Sequence, residues 1–185
     1  DLVDHAIEFV ADLRHVDDRQ FLLYFATGAC HSPHQAPAHW IERYHGAFDD
    51  GWDAWRDATF AKQLTEGLLP PHTELSPRPD WVPEWSSLSA DEQRLYARHM
   101  ECFAAFLSHT DEQLGRLLDF LDTTGDLENT MVVVLSDNGA SSEGGPTGSI
   151  NDVRPWNMAP RALDEALERI DDIGGPWIHN NYPWG

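Results

Sequence analysis

The stretch Thr130-Met-Val-Val-Val-Leu135, which runs directly into Ser136-Asp-Asn-Gly139, is the strongest indicator of the fold. Its β-branched and apolar residues are continuous rather than alternating, which is typical of a strand buried on both faces. A second apolar run, Phe21-Leu-Leu-Tyr-Phe-Ala26, follows an amphipathic pattern over residues 2–13 that predicts a helix. A helix beside fully apolar strands indicates an α/β fold whose sheet is covered on both sides.

The region between the two predicted strands is mostly helical in pattern. The sequence predicts irregular helices over residues 38–69 and a connector over residues 70–85, which hold five prolines. Ser89 and Glu92 form a capping-box pattern that opens a long helix with a leucine- and phenylalanine-rich side. A last helix is predicted near residues 162–173.

Composition excludes several classes of function. The 185 residues are 41% hydrophobic, which is too apolar for a disordered tail. Twelve Lys and Arg residues against 32 Asp and Glu residues give a formal net charge of -20. This balance argues against nucleic acid and against an anionic membrane surface as partners. No segment approaches the ~20 apolar residues of a membrane span, so we expect a soluble chain.

The two ends and the cysteines bear on organisation and compartment. The chain begins at Asp1 with no signal peptide before the first helix, and it stops at Gly185 without a closing element. We therefore expect residues 1–185 to be an internal segment of a larger domain. Two cysteines, Cys30 and Cys102, cannot form a disulfide framework, and free thiols favour the cytoplasm.

Asp137 and Asn138 follow the valine-rich strand and are candidate metal ligands. A carboxylate oxygen beside an amide oxygen suits Ca²⁺ or Mg²⁺ and is poor for zinc. The alternative is a tight turn, because Asn-Gly is a strong hairpin signal. The Gly- and Ser-rich residues that follow do not look like a returning strand. From spacing alone, a metal site and a plain turn both remain open.

His31 and His34 lie in a polar, proline-bearing stretch, residues 27–37, directly after the aromatic strand. Open α/β sheets place ligands at this edge. Two histidines three residues apart could bind zinc, contact an anion, or lie at the surface. Cys30 beside His31 suggests a thiol nucleophile or zinc, but no Cys-x-x-Cys spacing supports zinc.

Taken together and in order, these motifs resemble the sulfatase family of the alkaline phosphatase superfamily, in particular its bacterial arylsulfatase branch. The stretches that carry the resemblance are Phe21–Pro37, Phe48–Trp55, Ser89–Arg98, Leu135–Ala140, Glu143–Ser149 and Asn181–Gly185. The resemblance implies an α/β/α sandwich around a mixed, mainly parallel sheet. It also implies hydrolysis of sulfate monoesters, with aryl sulfates as the expected substrates, by a formylglycine nucleophile and one bound cation, Ca²⁺ or Mg²⁺.

The resemblance also implies roles for single residues. Asp137 and Asn138 match two metal ligands of the family, and His31 matches its histidine that contacts the sulfate or the leaving-group oxygen. An imidazole can donate a proton to a departing alkoxide, so we expect His31 to be catalytic. His34 follows closely, and we expect it to bind substrate at the rim of the pocket.

Departures from the family pattern are equally informative. Cys30 is followed by His-Ser-Pro-His and not by the Cys-x-Pro-x-Arg pattern, so it is not the formylglycine precursor. The family's first acidic metal pair, formylglycine segment and Lys-x-His loop would lie upstream. We therefore expect these residues alone to be inactive and to pack against the remainder of their own catalytic domain. Two alternatives remain: a phosphodiesterase or phosphonate hydrolase of the same superfamily, or a non-catalytic interaction module.

Overall fold

The structure is a computed structural model that describes residues 1–16, 20–136, 139, 141, 143–151, 153–157 and 163–184. Its α-helices are α1 (Leu2–Leu13), α2 (Ala38–Glu42), α3 (Gly51–Thr65), α4 (Ala90–Thr123), α5 (Val153–Trp156) and α6 (Leu163–Glu168). Short 3₁₀ turns occupy Trp85–Ser87, Leu127–Asn129 and Ile170–Asp172. Within the described ranges, no helix combines the length and the apolar character needed to cross a membrane.

Helix α4 begins where the sequence predicts. The Ser89 hydroxyl accepts a hydrogen bond from the Glu92 amide at 3.3 Å, and the Glu92 carboxylate accepts one from the Ser89 amide at 2.8 Å. This reciprocal pair satisfies two amides that the helix itself leaves without partners. The helix runs for 34 residues and is followed by Gly125, whose φ of +75° suits a glycine after a helix end.

Two hydrophobic cores lie at different levels of α4. The larger one surrounds Leu95, Cys102 and Ala105, and α2 contributes Trp40 and Ile41 to it. The smaller one joins Val3 and Ala6 of α1 to Leu117 near the other end of α4. Since burying one such aliphatic side chain stabilises the fold by about 1.5–3 kcal/mol, α4 is the element that organises the described chain.

The first predicted strand is not formed among the described residues. Residues 21–26 have no regular secondary structure, but their burial alternates: Leu23 and Phe25 pack against the smaller core, whereas Leu22 and Tyr24 are 91% and 88% exposed. Alternation is what an extended chain with one covered face produces. A strand also needs a neighbour for its N–H and C=O groups, and the described residues offer none here.

The second predicted strand, residues 130–135, is also not formed among the described residues. It has no regular secondary structure, and Met131 and Val134 are 89% and 87% exposed. The two backbone bridges in the described chain lie elsewhere, an antiparallel one between Ser149 and Asn181 and a parallel one between Asn151 and His179. The predicted sheet is therefore not confirmed within these residues.

Residues 174–184, called here the tail segment, connect two loops. On one side, Ser149 and Asn181 exchange backbone hydrogen bonds of 2.9 and 2.8 Å, and the Trp184 amide donates to the Gly145 carbonyl at 3.0 Å. On the other side, the His34 amide donates to the Asn180 carbonyl at 3.2 Å. The tail segment thus fixes residues 143–149 relative to the stretch that contains His31 and His34.

Gly144 is expected to tolerate no side chain, because a Cβ added there would lie 1.8 Å from the carbonyl oxygen of Tyr182. We predict that Gly144→Ala lowers the free energy of unfolding by about 1–3 kcal/mol, the usual cost of overpacking. Urea unfolding of the full-length protein measures this. Gly115→Ala in α4 is the matched control, since no atom lies within 4 Å of its added Cβ. Equal stability of the two variants would contradict the close approach.

His99 of α4 is a buried histidine, with 1% of its surface exposed. Among the described residues, neither of its ring nitrogens has a hydrogen-bond partner. It lines a cavity of about 110 Å³ together with Tyr96 and Ser149. Burial, assisted by the positive charge of Arg98 and by the neighbouring His34, lowers the pKa of His99 to about 3.

The buried His99 should make stability depend on pH. Its pKa is about 3 in the folded state and near 6.5 when unfolded, so the unfolded chain binds the extra proton between these values. We therefore predict that stability falls as the pH is lowered from 6.5 to 3. His99→Leu should flatten this slope, and the same change at exposed His72 should not. The test is urea unfolding of both variants at pH 7, 5 and 4. If the free energy of unfolding depends on pH equally in both variants, the prediction is refuted.

Candidate functional site

His31 lies within residues 27–37, which we call the histidine loop. Its side chain is 74% exposed. The Nδ1 atom lies 2.7 Å from the carbonyl oxygen of Ser32, and a carbonyl can only accept, so Nδ1 carries a proton and donates it. The other ring nitrogen, Nε2, is therefore the one available for chemistry.

The loop after the valine-rich run, residues 136–149, approaches His31. We call it the glycine loop. The carboxylate oxygen Oε2 of Glu143 lies 3.9 Å from Nε2 of His31. The amide of Glu143 donates to the hydroxyl of Ser141 at 3.1 Å, which orders this part of the loop. The structure thus brings together the two loops that the sequence singles out separately.

Asp137 and Asn138, the predicted metal ligands, lie outside the described residues. Their predicted role therefore stays a prediction. Of the described residues, no three His, Cys, Asp or Glu side chains are grouped so as to hold a metal ion. Glu143, the residue of the glycine loop that lies near His31, comes five residues after Asn138 in the sequence.

His34 is buried, with 1% of its surface exposed. Its ring stacks on Tyr182 with centroids 4.9 Å apart and an interplanar angle of 14°, and it meets the edge of Phe103 at 5.2 Å. These contacts anchor the histidine loop to α4 and to the tail segment. Substrate binding by His34 stays a prediction, and on the described chain the ring is not at a solvent-facing rim.

Tyr182 is a site residue that sequence reasoning missed. Its hydroxyl accepts a hydrogen bond from the Ser141 amide at 2.8 Å while its ring stacks on His34. Burial raises the pKa of Tyr182, so the hydroxyl stays protonated at neutral pH. The family-like stretch Asn181–Gly185 includes Tyr182. No spacing rule, however, pairs Tyr182 with Ser141, more than 40 positions away, or with His34, more than 140 positions away.

Cys30 does not have the environment of a reactive thiol. It is partly buried, and this burial raises the pKa of its thiol. Nucleophilic cysteines need the opposite shift, because the thiolate is the reacting form. The thiol-nucleophile alternative for this loop therefore loses support.

A cavity of about 580 Å³ lies between α4 and the turn after α2. It combines carboxylates of Glu42 and Asp49 with the guanidinium groups of Arg94 and Arg98. Neither His31 nor His34 lines it. The meeting point of the two loops, and not this cavity, is therefore the candidate site.

Comparison with known proteins gives the family of the chain. The sequence model of the sulfatase family matches residues 1–166. An uncharacterized sulfatase of Schizosaccharomyces pombe is 35% identical over 167 residues, which cover 90% of this chain and 28% of that protein. An arylsulfatase of Klebsiella aerogenes is 34% identical over 118 residues, which cover 64% of this chain and 25% of that protein.

The chain thus spans about a quarter of the length of the curated relatives it matches. Within that span the match includes both the histidine loop and the glycine loop. This family match over residues 1–166 decides the assignment. The chain belongs to the sulfatase family.

Proposed function

We propose that the protein hydrolyses sulfate monoesters, with aryl sulfates as the substrate class, and that the two loops form part of its active site. The observation that carries the proposal is the meeting of His31 with Glu143, 3.9 Å apart, in a chain of the sulfatase family. The relative named as an arylsulfatase supports the aryl preference. The family further supports an α/β/α sandwich for the complete domain.

His31 is proposed to be the proton donor to the leaving group. Its Nδ1 proton is held by the Ser32 carbonyl, so the proton given to the leaving group would be the one that Nε2 carries when both ring nitrogens are protonated. As the S–O bond to the alcohol breaks, the oxygen keeps the electron pair and takes the Nε2 proton. His34 is proposed to assist substrate binding through the loop that its buried ring anchors.

Asp137 and Asn138 are proposed to hold a divalent cation, Ca²⁺ or Mg²⁺. Their side chains offer one carboxylate and one amide oxygen, which is the donor chemistry that such hard cations prefer. A bound cation would offset the negative charge of the sulfate group and polarise it. Ca²⁺ takes about 6–8 oxygen ligands, so further ligands are proposed to come from outside these residues. The formylglycine nucleophile is likewise proposed to come from outside these residues.

The remainder of the catalytic domain is the proposed partner of this chain, and the exposed apolar runs support this. Residues 130–135 present Val133 at 69% exposure and Met131 at 89%. Such runs are typical of strands buried in a parallel sheet, and left uncovered they promote aggregation. The acidic composition supports neither nucleic acid nor an anionic membrane as a partner.

The activity is testable on the full-length protein with an aryl sulfate. We expect turnover that a chelator abolishes and that His31→Ala lowers by about 10²–10⁴-fold, the usual contribution of a general acid. His72→Ala, which replaces an exposed histidine in the proline-rich connector, is the matched control and should keep full activity. Hydrolysis of aryl phosphates instead would favour the phosphodiesterase branch. A folded protein without hydrolytic activity would favour the interaction module.

The proposed sheet is testable at Val133. Val133 and Leu68 are each 69% exposed on the described chain, so exposure alone predicts equal tolerance of Asp. If residues 130–135 pair within a covered sheet, Val133→Asp buries a charge and should cost 3 kcal/mol or more. Leu68→Asp should change stability by only about 0.5 kcal/mol. Thermal unfolding of the full-length variants decides, and equal tolerance would refute the sheet.

A further inference from the structure

The side chain of Tyr182 touches both loops of the candidate site: its ring stacks on His34, and its hydroxyl accepts the Ser141 amide hydrogen. We propose that it is a positioning residue that holds the histidine loop and the glycine loop in a fixed relation during catalysis. The inference rests on the proposed function, since it assigns a role to Tyr182 in that reaction. Tyr182 acts through His34 and Ser141 and does not itself contact the substrate.

The ring of Tyr182 fixes the histidine loop. It stacks on His34 with centroids 4.9 Å apart, and Phe103 of α4 meets its edge at the same distance, with an angle of 74°. Tyr182 is 7% exposed and His34 is 1% exposed, so both rings are packed in the interior. His34 lies three residues after His31, so fixing the His34 ring limits how far the loop backbone that carries His31 can move.

The hydroxyl of Tyr182 fixes the glycine loop. It accepts the Ser141 amide hydrogen at 2.8 Å, and Ser141 lies three residues after Asn138. The backbone of Tyr182 lies against Gly144 so closely that an added Cβ would be 1.8 Å from its carbonyl oxygen. One residue therefore contacts the glycine loop through both its side chain and its main chain.

A catalytic reason exists for such a connection. The proposed proton donor and the proposed cation ligands lie on loops more than 100 residues apart in sequence, yet they must act on one sulfate group. A misplacement of about 1 Å between reacting groups can cost about 10²-fold in rate. A rigid aromatic side chain with one hydroxyl is well suited to this task, because it loses little conformational freedom on packing.

The decisive variant is Tyr182→Phe in the full-length protein, because it removes the hydroxyl and keeps the ring. We expect the Ser141 amide to exchange its hydrogen at least several-fold faster in cation-free protein, measured by mass spectrometry on a peptide covering residues 139–148. We expect calorimetry to show Ca²⁺ affinity reduced several-fold. With aryl sulfate, kcat should fall about 10-fold while KM changes less than threefold.

Tyr44→Phe is the matched control. The Tyr44 hydroxyl bonds the Ser108 hydroxyl of α4, so this variant also removes one partly buried tyrosine hydrogen bond, but outside both loops. It should match Tyr182→Phe in thermal stability to within a few degrees and leave exchange at residues 139–148, Ca²⁺ affinity and kcat unchanged. A purely structural role for Tyr182 would make the two variants alike in every measurement, and that result would overturn the proposal.

A second variant removes the same hydrogen bond from the other side. Ser141→Pro lacks the amide hydrogen that Tyr182 accepts. If this hydrogen bond is what supports Ca²⁺ binding, the double variant with Tyr182→Phe and Ser141→Pro should bind Ca²⁺ as well as Ser141→Pro alone. Additive losses of affinity in the double variant would overturn the proposal. Exchange and cation affinity need no turnover. If Tyr182→Phe changes exchange and cation affinity but the wild-type protein hydrolyses no sulfate ester, the proposed function is refuted. The role of Tyr182 in holding the two loops together would still stand.

Discussion

Packing against helix α4 is the constraint on which the rest of the described chain depends. Its first half carries Leu95, Cys102 and Ala105, around which α2 and the tail segment close, and its second half carries Leu117, which receives α1. At 1.5 Å per residue its 34 residues span about 50 Å, so the two cores are separate and share only this helix. Any loss of α4 would therefore release both cores at once.

The candidate site depends on the same helix through polar contacts as well as apolar ones. The guanidinium of Arg98 donates to the Ile173 carbonyl at 3.1 Å and to the buried carboxylate of Glu101, also at 3.1 Å. The Glu101 carboxylate accepts the Gly46 amide at 2.8 Å, so this buried charge is paired and hydrogen-bonded. The bond from Arg98 holds Ile173, the residue directly before the tail segment that carries Tyr182 to the two loops.

The sequence predicts those features that depend on contacts between residues close together in the chain. The capping box at Ser89 and Glu92 depends on residues a few positions apart, and the structure reproduces it. The predicted strands depend on pairing with neighbours, and runs as apolar as residues 130–135 form no ladder without them. The burial of His34 and the role of Tyr182 arise from contacts between distant residues, which no pattern in one sequence encodes.

Charge sets a further requirement on the proposed site. Glu143 places a carboxylate 3.9 Å from His31, Asp137 adds another acidic group to the same loop, and the chain as a whole carries a formal charge of -20. A sulfate monoester is itself an anion, and two like charges at about 4 Å repel by several kcal/mol near a protein surface. The anion can bind among these carboxylates only if positive charge offsets them. The proposed divalent cation, held by oxygen ligands, would supply that charge beside the sulfate, so the proposed function requires a cation at these acidic loops.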